Sequence, residues 1–204
     1  MLAALLAIAI VAPPPDAQAL AREVQAFYEH TRDLEAGFVQ TYTYAAFART
    51  QQSRGTLRVK KAGKLRWDYT APAPKTIVVN GTHLVQYEPD ANQAYVDDRF
   101  DLSTTSAAVT FLVGKGSLER EFHLATDAEG HLVLTPRAAD ARVERVVLTV
   151  APGGEVTATR VVDGSGNVNE IAFRGLRRNV GIPDQAFVLD LPGDVHRVKA
   201  PEPR

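Results

Sequence analysis

The chain contains no cysteine, which removes disulfides, thiolate catalysis, cysteine-held zinc and acylation of an N-terminal lipobox cysteine. A charge excess of either sign is missing as well, because 23 Lys and Arg face 24 Asp and Glu. Without a basic field to displace counterions from phosphates, the charge argues against a general nucleic-acid binder. Long apolar runs are absent apart from Leu2 to Ala12, which is too short for the ~20 residues of a bilayer-spanning helix. The histidines, His30, His83, His123, His131 and His196, are scattered, with no helical pair placed to share a metal. Gly114-Lys115-Gly116-Ser117 lacks the leading glycine of a phosphate loop and follows a helix-like run instead of preceding one. Neither metal nor cofactor is expected.

What remains is the composition of an ordinary globular protein. At 204 residues, 45% of them hydrophobic, the chain suffices for one sizeable domain with a real core. The apolar stretch Leu2 to Ala12 runs into Pro13, Pro14 and Pro15, and Ala17-Gln18-Ala19 offers a small-x-small cleavage site. Residues 1–19 are therefore expected to be a signal peptide cleaved after Ala19, and residues 20–204 a single domain. The positive n-region is missing, since no Lys or Arg precedes Arg22; a misplaced start codon would account for that.

After Ala19, the spacing of Leu20, Val24, Phe27 and Tyr28 predicts an amphipathic helix. From Leu34 onward the apolar residues alternate: Leu57 and Val59; Leu65, Trp67 and Tyr69; Leu132 and Leu134; Phe187, Leu189 and Leu191. Alternation predicts half-buried antiparallel strands. Turn signals fall between them at Ala62-Gly63, Asn80-Gly81, Glu129-Gly130, Gly153-Gly154 and Asp163 to Gly166. A second short helix is predicted from Ser103 to Val113, stopped by Gly114. The fold class is mainly β (α+β): a strongly curved sheet or incomplete antiparallel barrel covered by short helices. Periodicity does not decide whether those helices close an ordinary core or lie as a movable lid over a cavity.

Motifs for chemistry do not assemble. Asp163, Ser165 and Asn167 imitate the opening of a calcium loop, but Arg174 stands where a bidentate glutamate is needed. Ser165 lacks the glycine spacing of a nucleophile elbow. Asn80-Gly81-Thr82 reads as a type I′ hairpin turn. Asp97 and Asp98, adjacent on a strand, point to opposite faces. No enzyme is expected.

One succession of motifs is more specific. Gly55-Thr56-Leu57-Arg58-Val59-Lys60-Lys61 leads through Gly63 into Leu65-Arg66-Trp67-Asp68-Tyr69 and Pro72; Asn80-Gly81, Leu84 and Tyr87-Glu88-Pro89 follow. Upstream stands Phe38-Val39-Gln40, and downstream Val133-Leu134-Thr135-Pro136-Arg137-Ala138 and the Phe187 to Val195 segment. In order and spacing this resembles the outer-membrane lipoprotein carrier protein LolA family over nearly the whole mature chain.

The resemblance implies a periplasmic, monomeric half-barrel under two or three short helices that act as a lid. It implies acylated lipoproteins as cargo, taken from an inner-membrane ABC transporter and handed to an outer-membrane receptor. Burial of each acyl methylene contributes ~0.8 kcal/mol, so a useful carrier must hold its chains loosely. On this reading Leu57, Val59, Leu65, Trp67 and Tyr69 form part of the cavity wall, and Phe111 and Leu112 belong to the lid helix. Lys61 stands where the resembling carriers have an arginine that latches the lid; it keeps the charge and loses the planar fork of donors. A lipoprotein-sensing adaptor or a general lipid carrier with the same fold is the alternative.

Overall fold

A computed structural model describes residues 15–61, 63–101, 116–139 and 141–200. The predicted second helix and the segment before Pro15 lie outside the described residues.

Helix α1 spans Ala17–Glu29 and buries Ala21, Val24, Phe27 and Tyr28 on one stripe, as the spacing predicts. Its N-cap is Asp16, whose carboxylate accepts from the Gln18 amide at 3.1 Å, satisfying one of the free donors of the first turn. Cleavage after Ala19 would remove that cap.

The strands follow as β1 (Asp33–Tyr44), β2 (Arg49–Lys60), β3 (Lys64–Ala71), β4 (Lys75–Asn80), β5 (His83–Glu88) and β6 (Gln93–Asp97). After the short helix α2 (Leu118–Glu121) come β7 (Phe122–Thr126), β8 (Leu132–Pro136), β9 (Arg145–Val150), β10 (Val156–Val162), β11 (Val168–Arg178) and β12 (His196–Lys199). All join one sheet in the order β12-β6-β5-β4-β3-β2-β1-β11-β10-β9-β8-β7. Its outermost strands do not pair with each other, so the barrel is incomplete. Every neighbouring pair is antiparallel except β12 with β6.

Alternation sorts the side chains to two faces. One face carries Leu34, Phe38, Leu57, Val59, Leu65 and Val79, and on the far side of β1 Val146, Leu148, Leu132 and Leu134, all in a single buried cluster with α1. A helix of 13 residues is ~20 Å long, whereas a flat sheet of this many strands would be ~50 Å wide. The sheet therefore curls around α1, and this face is concave.

Two expectations need correction. Phe187, Leu189 and Leu191 do not form a strand: Phe187 closes a 3-10 turn at Asp184–Phe187, and the last strand comes later, at His196–Lys199. Pro183 and Pro192, which have no N–H of their own to give a ladder, bracket the segment. It crosses the convex face as a strap, burying Ile182 and Phe187 against Val78. The β4–β5 hairpin turns at Asn80-Gly81-Thr82 as expected, with Asn80 paired to His83, but not as a type I′ turn, since Gly81 takes a positive φ of 68° and Thr82 does not.

Charge organises the convex face. A rung crosses it from β11 to β4. Arg177 and Arg58 donate to the two oxygens of Glu35, each at 2.6 Å. Arg58 reaches Asp68 at 3.1 Å, and Asp68 also accepts from Arg66 and from the Thr76 hydroxyl. Arg66 then donates to the Ala186 carbonyl, while Lys60 and Lys64 pair with Asp184, so the strap is held by three cations.

At Gly154, in the β9–β10 turn, a Cβ would stand 2.2 Å from the Glu23 carbonyl oxygen of α1, and φ is 88°. The helix docks on bare backbone here. Gly154→Ala is expected to destabilise the protein by ~2–4 kcal/mol, read from urea unfolding. A second expectation concerns acid. Hydrogen bonds from Arg177 and Arg58 hold the Glu35 carboxyl below its ordinary value of 4.5. That stabilisation is present above the ordinary value and is lost as pH falls through the lower, folded one. Urea midpoints measured from neutral pH down through the carboxylate range are expected to fall less steeply in Glu35→Gln than in the parent.

Candidate functional site

The concave face has an aromatic floor, built where β1, β2 and β3 run side by side. Phe38 on β1 and Tyr69 on β3 both stand opposite Gly55 on the strand between them. Because Gly55 carries no side chain, the two rings meet over it, centroids 5.0 Å apart and edge to face. Phe38 meets Trp67 the same way at 4.8 Å, and Trp67 stacks with Tyr69 at 6.2 Å. Such pairs contribute ~0.5–1.5 kcal/mol each beyond area burial.

Register places the residues expected in the cavity wall together on this face. Leu57 faces Trp67 and Val59 faces Leu65 across β2 and β3. Leu57, Val59 and Leu65 are buried, whereas Trp67 and Tyr69 are half-buried. Phe111 and Leu112 lie outside the described residues. Lys61 follows β2, and its ammonium donates to the Glu29 carbonyl at the end of α1, where the helix dipole favours a cation. Arg66 points the other way, to the strap.

Sequence reasoning missed the boundary of the floor. The Tyr69 hydroxyl donates to Gln40 Oε1 at 3.1 Å, and Gln40 Nε2 donates to Asn169 Oδ1 at 2.9 Å. This polar line crosses the concave face from β3 to β11. Lys75 caps it with its ammonium 4.5 Å from the centre of the Tyr69 ring, and burial pushes the Tyr69 hydroxyl pKa up. Beyond the line a cavity of about 230 Å³ opens between Gln51, Ser53, Pro72, Pro74 and Glu88. Only the Phe38-Val39-Gln40 motif, already notable in the sequence, signalled this region.

Other hollows are less suited to an apolar guest. A groove of about 690 Å³ lies on the convex face, rimmed by Arg145, Arg160, Glu170, Asp127 and His131. Asp127, Glu129 and His131 come within 4.8 Å of one another, but Asp127 closes the β7–β8 turn, accepting from the Glu129 and His131 amides and bonded to the His131 ring. Among the described residues no helix is long and apolar enough to cross a membrane.

The family described as outer membrane lipoprotein carrier protein LolA matches residues 29–190. The chain belongs to that family. Among its relatives, the outer-membrane lipoprotein carrier protein of Dechloromonas aromatica is 32% identical over 170 residues, covering 81% of each chain. That of Methylobacillus flagellatus is 31% identical over 173 residues, covering 83% of each. A crystal structure of an uncharacterized conserved protein from Thermus thermophilus shares the fold, with a TM-score of 0.55 at 13% identity over 90% of this chain and 99% of that one. The matched span runs from the end of α1 to the strap, so in this LolA family member it contains the whole aromatic floor.

A Cβ on Gly55 would lie 1.9 Å from the Asp68 carbonyl oxygen, which forces β2 and β3 apart and separates the rings above. Gly55→Ala is expected to cost ~2–3 kcal/mol and to weaken the near-ultraviolet circular dichroism of Trp67, the only tryptophan in the chain.

Proposed function

We propose that the protein is a periplasmic carrier that shields the acyl chains of lipoproteins against its concave face. The observation that carries this reading is the aromatic floor. Apolar side chains from several strands form one continuous wall, with Trp67 and Tyr69 left half-buried, and the line through Gln40 ends it abruptly. Chains buried on such a floor gain ~0.8 kcal/mol per methylene, while partial exposure keeps the gain small enough for release. Leu57, Val59, Leu65, Trp67 and Tyr69 would line the acyl site, with Phe111 and Leu112 on the segment that covers it.

The names of the related carriers support lipoproteins as cargo. An inner-membrane lipoprotein-releasing ABC transporter would load the protein, and an outer-membrane receptor would unload it. Carrying needs no bond to be made or broken, so no catalytic group is assigned. The working form would be a monomer, exported by the signal peptide of residues 1–19. Lys61 would tie α1 to the β2–β3 corner in place of the arginine expected from the resemblance. One ammonium donating to one carbonyl is a weaker latch than a bidentate fork.

The test uses the mature protein and acylated lipoprotein presented on spheroplasts. Release of the lipoprotein into a soluble stoichiometric complex is expected, together with a blue shift of Trp67 emission on titration with a diacylated peptide. The unacylated peptide should produce neither. Lys61→Ala should keep uptake and speed release. Binding of free phospholipid without uptake of acylated cargo would replace this reading with that of a general lipid carrier.

A further inference from the structure

The longest hairpin of the sheet ends in a tip whose composition the fold does not require. Strands β1 and β2 are joined by a 3-10 turn, Ala45–Phe47, followed by Ala48 in the left-handed region at φ 45°. Strands β5 and β6 are joined in the same way, by Pro89–Ala91 and then Asn92 at φ 46°. The second loop uses residues suited to the job: proline to start, aspartate in solvent and an asparagine that tolerates positive φ. The first reaches the same geometry with Ala, Ala, Phe and Ala, so that Ala48 adopts a conformation its side chain disfavours.

The result is an aromatic side chain held out into solvent. Phe47 is 80% exposed, and Tyr44 beside it 36%. Tyr44 packs on Tyr42 with ring centroids 4.6 Å apart. The tip is anchored from behind, since the Ala45 amide donates to Asn167 Oδ1 at 3.0 Å. On the β3 side its ladder ends early, because β3 pairs with β2 only as far as Arg54, and Gln51 and Ser53 beyond it face the β3–β4 and β5–β6 loops across the cavity of about 230 Å³.

The hairpin's own charge has one sign, set against the ionised Asp163 carboxylate of the adjoining β10–β11 turn near Tyr42. No acidic residue occurs between Glu35 and Asp68. Four cations of that stretch, Arg58, Lys60, Lys64 and Arg66, are paired with carboxylates, whereas Arg49 and Arg54 form no salt bridge among the described residues. The nearest acid on the adjoining β10–β11 turn, Asp163, is engaged by the Ser165 and Asn167 amides and the Asn167 side chain.

We infer that the β1–β2 tip is a membrane-contact element, inserting Phe47 into the interface of an anionic phospholipid bilayer while Arg49 and Arg54 meet the headgroups. A solitary aromatic among alanines, with tyrosines at its shoulder and arginines behind it, is the pattern of an interfacial insertion. It is too small a patch for a protein interface, which needs ~800 Å² per partner. The contact is distinct from the acyl site and rests on the carrier reading only for its use, which is to bring the mouth of the cavity to the surface where cargo enters or leaves.

The test is sedimentation of the full mature chain with vesicles of phosphatidylglycerol in phosphatidylcholine, and with phosphatidylcholine alone. Binding to the anionic vesicles is expected, weakened by salt and by Arg49→Gln, and reduced about tenfold or more by Phe47→Ser. In Phe47→Trp, anionic vesicles should add a blue-shifted emission that brominated lipid quenches. Phe47→Ser should still bind a diacylated peptide as the parent does, so failure of cargo binding in the parent would sink the carrier reading and leave the vesicle result standing. No binding by the parent, or equal binding by Phe47→Ser, overturns the inference; a tip that crosslinks to protein and not to lipid does so too.

Discussion

Much of the molecule depends on two strands lying closer together than a side chain allows. At Gly55 the backbone of β3 occupies the space a Cβ would need, and the register of the two strands slips at the same place, between Arg54 and Gly55. A bulge of this kind bends its strand and ends regular pairing. On one side of it, Phe38 and Tyr69 close over the vacant position to make the aromatic floor. On the other, β3 leaves β2, and the outer part of the hairpin continues alone. The aromatic floor and the unpaired outer part of the hairpin both begin at one missing side chain.

The two faces of the sheet are stabilised by different physics. The concave face relies on apolar contacts, which are non-directional and tolerate a guest that slides, tilts or varies in length. The convex face relies on charge-assisted hydrogen bonds, which are directional and fix distances. Five strands are tied in register there by Arg177, Glu35, Arg58, Asp68 and Thr76. A carrier for acyl chains benefits from this division, because the shell can stay ordered while its contents remain loosely held.

Strand alternation made the floor legible in the sequence. Leu57 and Val59, then Leu65, Trp67 and Tyr69, share a face by period alone, and the glycine turns fixed which strands were neighbours. The stripe Val24, Phe27 and Tyr28 gave α1 in the same way. The strap was misread because Phe187, Leu189 and Leu191 also alternate, and alternation records burial on one side without saying whether a ladder partner exists. Its flanking prolines held the missing information. The pairing of Gln40 with Asn169 was hidden for a different reason: their hydrogen bond joins residues 129 positions apart, and no local pattern encodes such a contact. Ala48 was equally silent, since nothing about an alanine announces a left-handed backbone.

The strap gives the shell unequal stiffness. It lies like a hoop over the staves β3 and β4, riveted by Lys60, Lys64 and Arg66, and a stave held from outside resists being pushed outward. Among the described residues the staves β8 to β11 carry no such hoop; their outer surface is the groove lined by Val133, Val147 and Ala172. Pressure from a bulky guest would therefore be taken up on one side only. The β2–β4 wall would act as the fixed jaw and the β8–β10 wall as the compliant one, so that the same shell grips slender and stout loads with different spans.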